Sequence, residues 1–264
     1  YRNELSGALS GLTRVRAFAQ DDCHIFATPE QVKDEVAALL QKVTDVYKVF
    51  GMEIEQVTIG TKPESALGTK EEWDPAETAL KAALDEAGWK YEIEEGDGAF
   101  YGPKIDMRIK DVLGRYWQLA TIQLDFQMPQ RFDLEYVSND GTRKTPIVIH
   151  RAILGSFERF MAILIEQYAG ALPLWLAPEQ VVVLPISDKQ IDYAQSVIAN
   201  LKASMPGIRI SIDDRSESIG KRIREALTQK VPYLVVVGDK EQQANQIAVR
   251  GRNELDLGSI PVTE

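Results

Sequence analysis

The chain has 264 residues, 44% hydrophobic and 27% charged, with a formal net charge of −10, one cysteine and two histidines. That balance fits a globular protein of one large or two ordinary domains; the single Cys23 excludes an internal disulfide framework, as in a reducing, cytoplasmic setting, and no apolar run is long enough to cross a bilayer. The acidic balance excludes generic coating of nucleic acid, which needs excess Lys and Arg on one face, but leaves room for a nucleic acid gripped by a local basic patch.

The chain begins without Met, inside what reads as a strand, so residues upstream of Tyr1 are expected. Residues 1 to 26 read as two strands joined by a loop carrying Gly7 and Gly11. On the second strand, Arg14, Arg16, Phe18, Gln20, Asp22 and His24 share one face, and Val15, Ala17 and Ala19 mark the other as the core side. The polar face is a candidate pocket wall for a polar, anionic ligand. Thr28, Pro29 and Gln31 form a helix start, and Val32, Val36, Leu39, Leu40, Val43, Tyr47 and Phe50 recur at helical spacing up to Gly51.

A strand is predicted over 51–60 and a second helix from Asp74, Pro75 and Glu77 to about Gly88. Strands follow near 90–95, 104–111 and 115–126, then a hairpin turning at Ser138 to Gly141 and a short strand, Ile147 to Ile149. His150 stands where that strand hands over to a helix with Ile153, Phe157, Phe160, Leu164 and Tyr168 on one face. Two prolines near 172–180 mark a domain boundary. Beyond it, strands at 181–186, 208–213, 233–238 and 247–250 alternate with helices at 188–204 and 217–229, the pattern of a small three-layer α/β domain with a largely parallel sheet.

Gln118, Thr121 and Gln123 are polar in a strand otherwise made of large apolar residues. Gln118 and Gln123 differ in parity, so if both face one pocket, a bulge or bend must lie between them.

The stretch RNELSGALSGLTRVRAFAQDDCHIF resembles motif 2 of the class II aminoacyl-tRNA synthetases, and HRAILGSFERF resembles motif 3. With the Gln-Asp-Asp-x-His run, AFYGPKID and TIQLDF between them, the chain is similar to the threonyl-tRNA synthetase family along essentially its whole length. The resemblance implies an α/β fold class, with an α+β catalytic domain built on an antiparallel sheet over 1–174 and a three-layer α/β anticodon-binding domain over 175–264. It implies ATP-dependent activation of L-threonine and its transfer to tRNA(Thr), by a homodimer with no membrane partner. Motif 1, an editing domain, a zinc-ligating cysteine and a last C-terminal helix of that family are expected outside the chain.

Carried onto matching positions, the resemblance implies that ATP, with Mg2+, is held by Arg2 at the α-phosphate, by Glu4 and Arg14, by Phe18 stacked on adenine, and by Arg159 at the far phosphates. Gln118, Thr121 and Ser156 would line the ATP side; Gln20, Asp22, Tyr101, Lys104 and Gln123 would surround threonine. His24 and His150 would hold Zn2+ with the upstream cysteine; Cys23, on the opposite strand face from His24, is not expected to reach the same metal. In the second domain Arg215, Glu217, Gly220, Arg224, Lys230, Glu241 and Arg250 match anticodon-reading positions, with Lys221, Arg222 and Arg224 as a basic cluster.

Residue by residue, plainer roles stay open: His24 as a structural histidine, Arg14 and Arg16 as an exposed strand edge, Phe18 as core, Gln118 and Gln123 satisfying each other, and 221–224 as a solvated helix face. An alternative to the enzyme is a non-catalytic relative or fragment that binds tRNA or mRNA.

Overall fold

The computed structural model describes residues 1–252 and 255–262, in two compact units, Tyr1–Glu166 and Gln167–Glu264. In the first, β1 (Cys23–Ala27), α1 (Val32–Val49), β2 (Gln56–Gly60), α2 (Lys70–Glu86), β3 (Glu92–Glu94), β4 (Lys104–Lys110), β5 (Tyr116–Asp125), α3 (Met128–Arg131), β6 (Tyr136–Val137), β7 (Arg143–Lys144), β8 (Ile147–Ala152) and α4 (Phe157–Gln167) follow in order. Six strands form one sheet in the order β1-β8-β5-β4-β2-β3, antiparallel except for the β2–β3 pair. The apolar stripe of α1 is core: Val32, Val36, Leu39, Leu40, Val43 and Tyr47 are buried, and the Tyr47 hydroxyl donates to the Ile153 carbonyl at 2.9 Å. Ile59, Ile105, Met107, Ile122, Leu124 and Ile149 are fully buried along the central strands.

Several boundaries differ from the sequence reading for identifiable reasons. Residues 1–22 carry no regular strand; a single turn of 3-10 helix, Ser6–Ala8, and isolated Ser10–Arg14 and Gln20–Ser156 bridges replace the expected pair. Polar groups there bond across the loop instead of along a ladder, with the Arg2 amide on the Arg16 carbonyl at 2.8 Å and Arg16 Nε on the Glu4 carbonyl at 3.1 Å. Ala17 and Ala19, expected on the core side, are exposed. Helix α2 begins one turn before Asp74, because Thr69 and Glu72 form a capping box, with the Thr69 amide donating to Glu72 Oε2 at 2.8 Å. Strand β8 runs past His150 to Ala152, since it pairs with β1 and β5 on its two sides. Ile153 therefore lies outside α4, whose buried face is Phe160, Ile163 and Leu164, and Phe157 is exposed.

The β4–β5 hairpin is closed by Asp111, whose carboxylate accepts from the amides of Leu113 (2.9 Å) and Arg115 (2.8 Å), from Arg115 Nε (2.6 Å) and from Trp117 Nε1 (2.8 Å). Burial raises its pKa, but the hydrogen bonds from Trp117, Arg115 and Leu113 win and bring it down to about 2. A depressed acid contributes stability above its unfolded pKa, about 3.9, and loses it as pH falls through the folded value. Acid titration of the fold by circular dichroism is expected to show a destabilisation between about pH 4 and pH 2 that is flatter in Asp111→Asn.

The second unit contains β9 (Val181–Pro185), α5 (Ile191–Ser204), β10 (Ile210–Ile212), α6 (Ile219–Thr228), β11 (Tyr233–Val237), α7 (Asp239–Ala244), β12 (Gln246–Gly251) and β13 (Asp256–Pro261). Alternate residues of β9 split between two cores: Val181 and Val183 pack with Ala194 and Val197 of α5, Val182 and Leu184 with Ala226 of α6. That split makes the three layers. The sheet, ordered β10-β9-β11-β12-β13, is mixed: β10, β9 and β11 are parallel, β12 runs antiparallel to β11, and β13 antiparallel to β12. Helix α7 and strand β13 were not predicted.

Candidate active site

Strand β5 supplies the floor. Met107 pairs with Ala120 and Arg108 with Gln118, which leaves Leu119 as an extra residue on β5. The bulge that the parity of Gln118 and Gln123 required is there, and Gln118, Thr121 and Gln123 all face one cavity of about 390 Å3. Residues 2–22 form its wall and the turn from β8 into α4 its far side. Of the residues assigned to ATP, Arg2, Glu4, Arg14, Phe18, Gln118, Thr121, Ser156 and Arg159 all line it; of those assigned to threonine, Gln20, Asp22, Tyr101 and Gln123 do. Lys104 does not line it. Its ammonium sits between Asp97 (2.9 Å) and Asp106 (2.7 Å), and although burial works against the charge, those carboxylates raise its pKa.

Four arginines line the cavity, Arg2, Arg14, Arg151 and Arg159, of which Arg151 is tied to Asp21 at 3.1 Å. Arg14 pairs with Glu4 at 3.0 Å, whereas Arg2 and Arg159 make no ion pair among the described residues. The Arg2 guanidinium lies over the Phe18 ring at 5.0 Å. Arg159 is fixed by the Thr13 carbonyl on Nε (2.9 Å), the Gln118 carbonyl on Nη1 (3.2 Å) and the Trp117 ring at 5.5 Å. Burial, then the nearby Arg2 and Arg14 charges, lower the Arg159 pKa. Beside the Arg14–Glu4 pair, Arg2 and Arg159 carry positive charge with no ion pair of their own among the described residues, which suits an anion.

The wall is locked to the far side by two carboxylates that the sequence reading passed over. Asp21 accepts from Arg151 Nη1 (3.1 Å) and from the backbone amides of Ile153 (2.9 Å), Leu154 (3.0 Å) and Gly155 (3.2 Å). Glu158 accepts from the Ala19 amide at 3.2 Å, while the Phe157 amide donates to the Ala19 carbonyl at 3.0 Å. The turn passes through Gly155 at φ 73°, where a Cβ would stand 2.7 Å from the Leu119 carbonyl oxygen. Arg16 does not line the cavity; its Nε donates to the Glu4 carbonyl.

His150 lines the cavity and His24 does not; the two are cross-strand partners with rings 4.6 Å apart, edge to face. His150 Nε2 lies 3.0 Å from Oδ2 of Asp125, a carboxylate only 1% exposed. The Tyr101 hydroxyl donates to Gln123 Oε1 at 2.5 Å, and burial, helped by Asp125 and Asp22, pushes its pKa up to about 12. The two glutamines thus do not satisfy each other. Among the described residues no three of His, Cys, Asp and Glu gather as a metal cluster; the two imidazoles stand as a pair.

In the second unit Arg215 and Glu217 line a cleft with Ser216, Ser218 and Asp188, and Gly220, Arg224, Lys230, Glu241 and Arg250 lie outside it. Of the expected basic cluster Lys221, Arg222 and Arg224, Arg224 alone is exposed without an ion pair among the described residues. Lys221 pairs with Glu217 (2.6 Å), Arg215 with Asp213 and Glu225 (both 2.8 Å), and Arg222 is buried, donating to the Asp213 and Pro185 carbonyls.

Residues 1–168 match the model of the tRNA synthetase class II core domain (G, H, P, S and T). The chain belongs to the class II tRNA synthetases. Residues 180–264 match the anticodon binding domain. Among relatives of this synthetase chain, a threonine–tRNA ligase of Clostridium tetani is 56% identical over 100% of the chain and 41% of the relative. The chain thus spans about two-fifths of the length of the curated relatives it matches. The solved RNA binding domain of threonyl-tRNA synthetase from Cryptosporidium parvum superposes with a TM-score of 0.92 at 44% identity, covering 100% of this chain and 66% of that one. A putative threonyl-tRNA synthetase from Aeropyrum pernix gives 0.79 at 31% identity, covering 99% and 62%.

Proposed function

We propose that the protein carrying this chain activates L-threonine with ATP to threonyl-adenylate and transfers the threonyl group to tRNA(Thr). The observation that carries this reading is the convergence of Arg2, Arg14 and Arg159 on one cavity, with Arg2 and Arg159 free of carboxylate partners among the described residues. A threonine carboxylate oxygen attacks the α-phosphorus and pyrophosphate leaves. Negative charge grows on the phosphoryl oxygens, which preorganised guanidinium groups stabilise without a covalent enzyme intermediate. Arg2 takes the α-phosphate, Arg159 the far phosphates, and Phe18 the adenine, with Mg2+ accompanying ATP. A regulator that only bound RNA would have no use for such a phosphate cage.

Gln20, Asp22, Tyr101 and Gln123 surround the amino acid, with Lys104 behind them. The imidazole pair fits zinc by its chemistry: buried Asp125 grips one ring nitrogen of His150 and leaves the other for a metal, with His24 alongside and a thiolate from elsewhere as third ligand. Zinc bound there would coordinate the substrate's amino and hydroxyl groups, so valine would be refused for want of a ligand. Arg215, Glu217, Gly220, Arg224, Lys230, Glu241 and Arg250 read the anticodon in a domain over 175–264, joined to a catalytic domain over 1–174, and the enzyme works as a cytoplasmic homodimer.

The test is isotope exchange between pyrophosphate and ATP, with zinc-loaded protein. Exchange is expected to depend on threonine; a rate no higher with threonine than without it overturns the reading.

A further inference from the structure

Asp106 lies on β4, opposite Thr121 of β5 and Thr58 of β2, and is 1% exposed. It does not line the cavity, yet it holds the floor from beneath. Its Oδ1 accepts from Gln118 Nε2 at 2.6 Å and from Thr121 Oγ1 at 2.7 Å, and its Oδ2 pairs with Lys104 Nζ at 2.7 Å. A carboxylate paired with an ammonium only accepts hydrogen bonds. The Gln118 amide must therefore turn its nitrogen inward, and the Thr121 hydroxyl must spend its one proton on Asp106.

We propose that Asp106 is a positioning residue that sets the hydrogen-bond polarity of the cavity floor. With their donors committed to it, Gln118 and Thr121 offer the cavity acceptor oxygens, and the floor selects a nucleotide by a hydroxyl or amino donor. This rests on the ATP-binding reading above. The floor is matched to the neutral, donor-bearing part of the ligand, and the phosphates are left to the arginines. On ATP the candidate donors are the two ribose hydroxyls and the exocyclic amine.

Calorimetric titration of the protein with ATP, 2′-deoxy-ATP, 3′-deoxy-ATP and purine riboside triphosphate, which lacks the amine, tests this. The native protein is expected to bind at least one analogue about tenfold more weakly than ATP, because an acceptor is left unpaired. Which analogue loses affinity identifies the donor. In Asp106→Asn the new amide can donate to Gln118 and Thr121 and reverse their polarity, so ATP and that analogue are expected to bind alike. A purely structural role would weaken both equally and keep the tenfold ratio, which overturns the proposal. So does native protein that binds ATP and all three analogues within about twofold. If thermal melts show Asp106→Asn unfolded, Thr121→Val and Gln118→Met decide: one of them must abolish the ratio, and its survival in both overturns the proposal. Native protein that binds no ATP refutes the activation reading itself.

Discussion

Asp21→Ala is expected to destabilise the fold by about 3–5 kcal/mol, because it leaves Arg151 partly buried without its counter-charge and strips three backbone amides of their acceptor. The Asp21 and Arg151 side chains are only 17% and 20% exposed, so solvent replaces little of what is lost. The melting temperature, followed by circular dichroism, should fall by roughly 10 °C. Asp21→Asn, which keeps one carbonyl oxygen, should lose less. Because the three amides belong to the turn that delivers Ser156 and Arg159, threonine-dependent exchange should fall along with stability in the alanine variant. A melt within about 2 °C of the native protein would show that Asp21 does not hold the turn.

Arg159→Ala is expected to lower kcat for pyrophosphate exchange by about 10²–10³-fold, the usual cost of removing one preorganised group from a developing charge. Arg159→Lys should recover little of it. The guanidinium reaches the Thr13 and Gln118 carbonyls through two different nitrogens while stacking on Trp117, and a flexible ammonium reproduces neither the fork nor the flat face. Melting should change far less than it does on loss of Asp21, since Arg159 makes no ion pair among the described residues. A lysine variant with native turnover would count against the role.

What could be read in the sequence was whatever depends on neighbours within a few residues. The apolar stripe of α1 and the alternation that set Gln118 against Gln123 are of this kind. The motif resemblance added most of the cavity lining, including Arg159, which no periodicity singles out. Hidden from both were the buried carboxylates that hold the lining in place. Asp21 meets amides more than 130 positions away, and Asp106 looks like an ordinary charge in KIDMR, although charges at alternate positions of a central strand were a usable signal. The basic run at 221–224 shows the opposite limit. Local sequence shows the charges, but that Arg222 is buried while Arg224 stays exposed is a tertiary fact.

The extra residue at Leu119 works as a phase shift in an otherwise regular two-residue rhythm. Before it Gln118, of one parity, faces the cavity; after it Thr121 and Gln123, of the other parity, face it too, so a single strand lines the cavity on both sides of the shift. On such a strand, tolerance to substitution and tolerance to length separate. The identity of residue 119 matters mainly through packing, since only its backbone is needed to make the shift. The number of residues between Gln118 and Thr121 is what cannot change. Removing one would restore the rhythm and turn Gln118 toward the opposite side of the sheet, parting the two halves of the cavity floor.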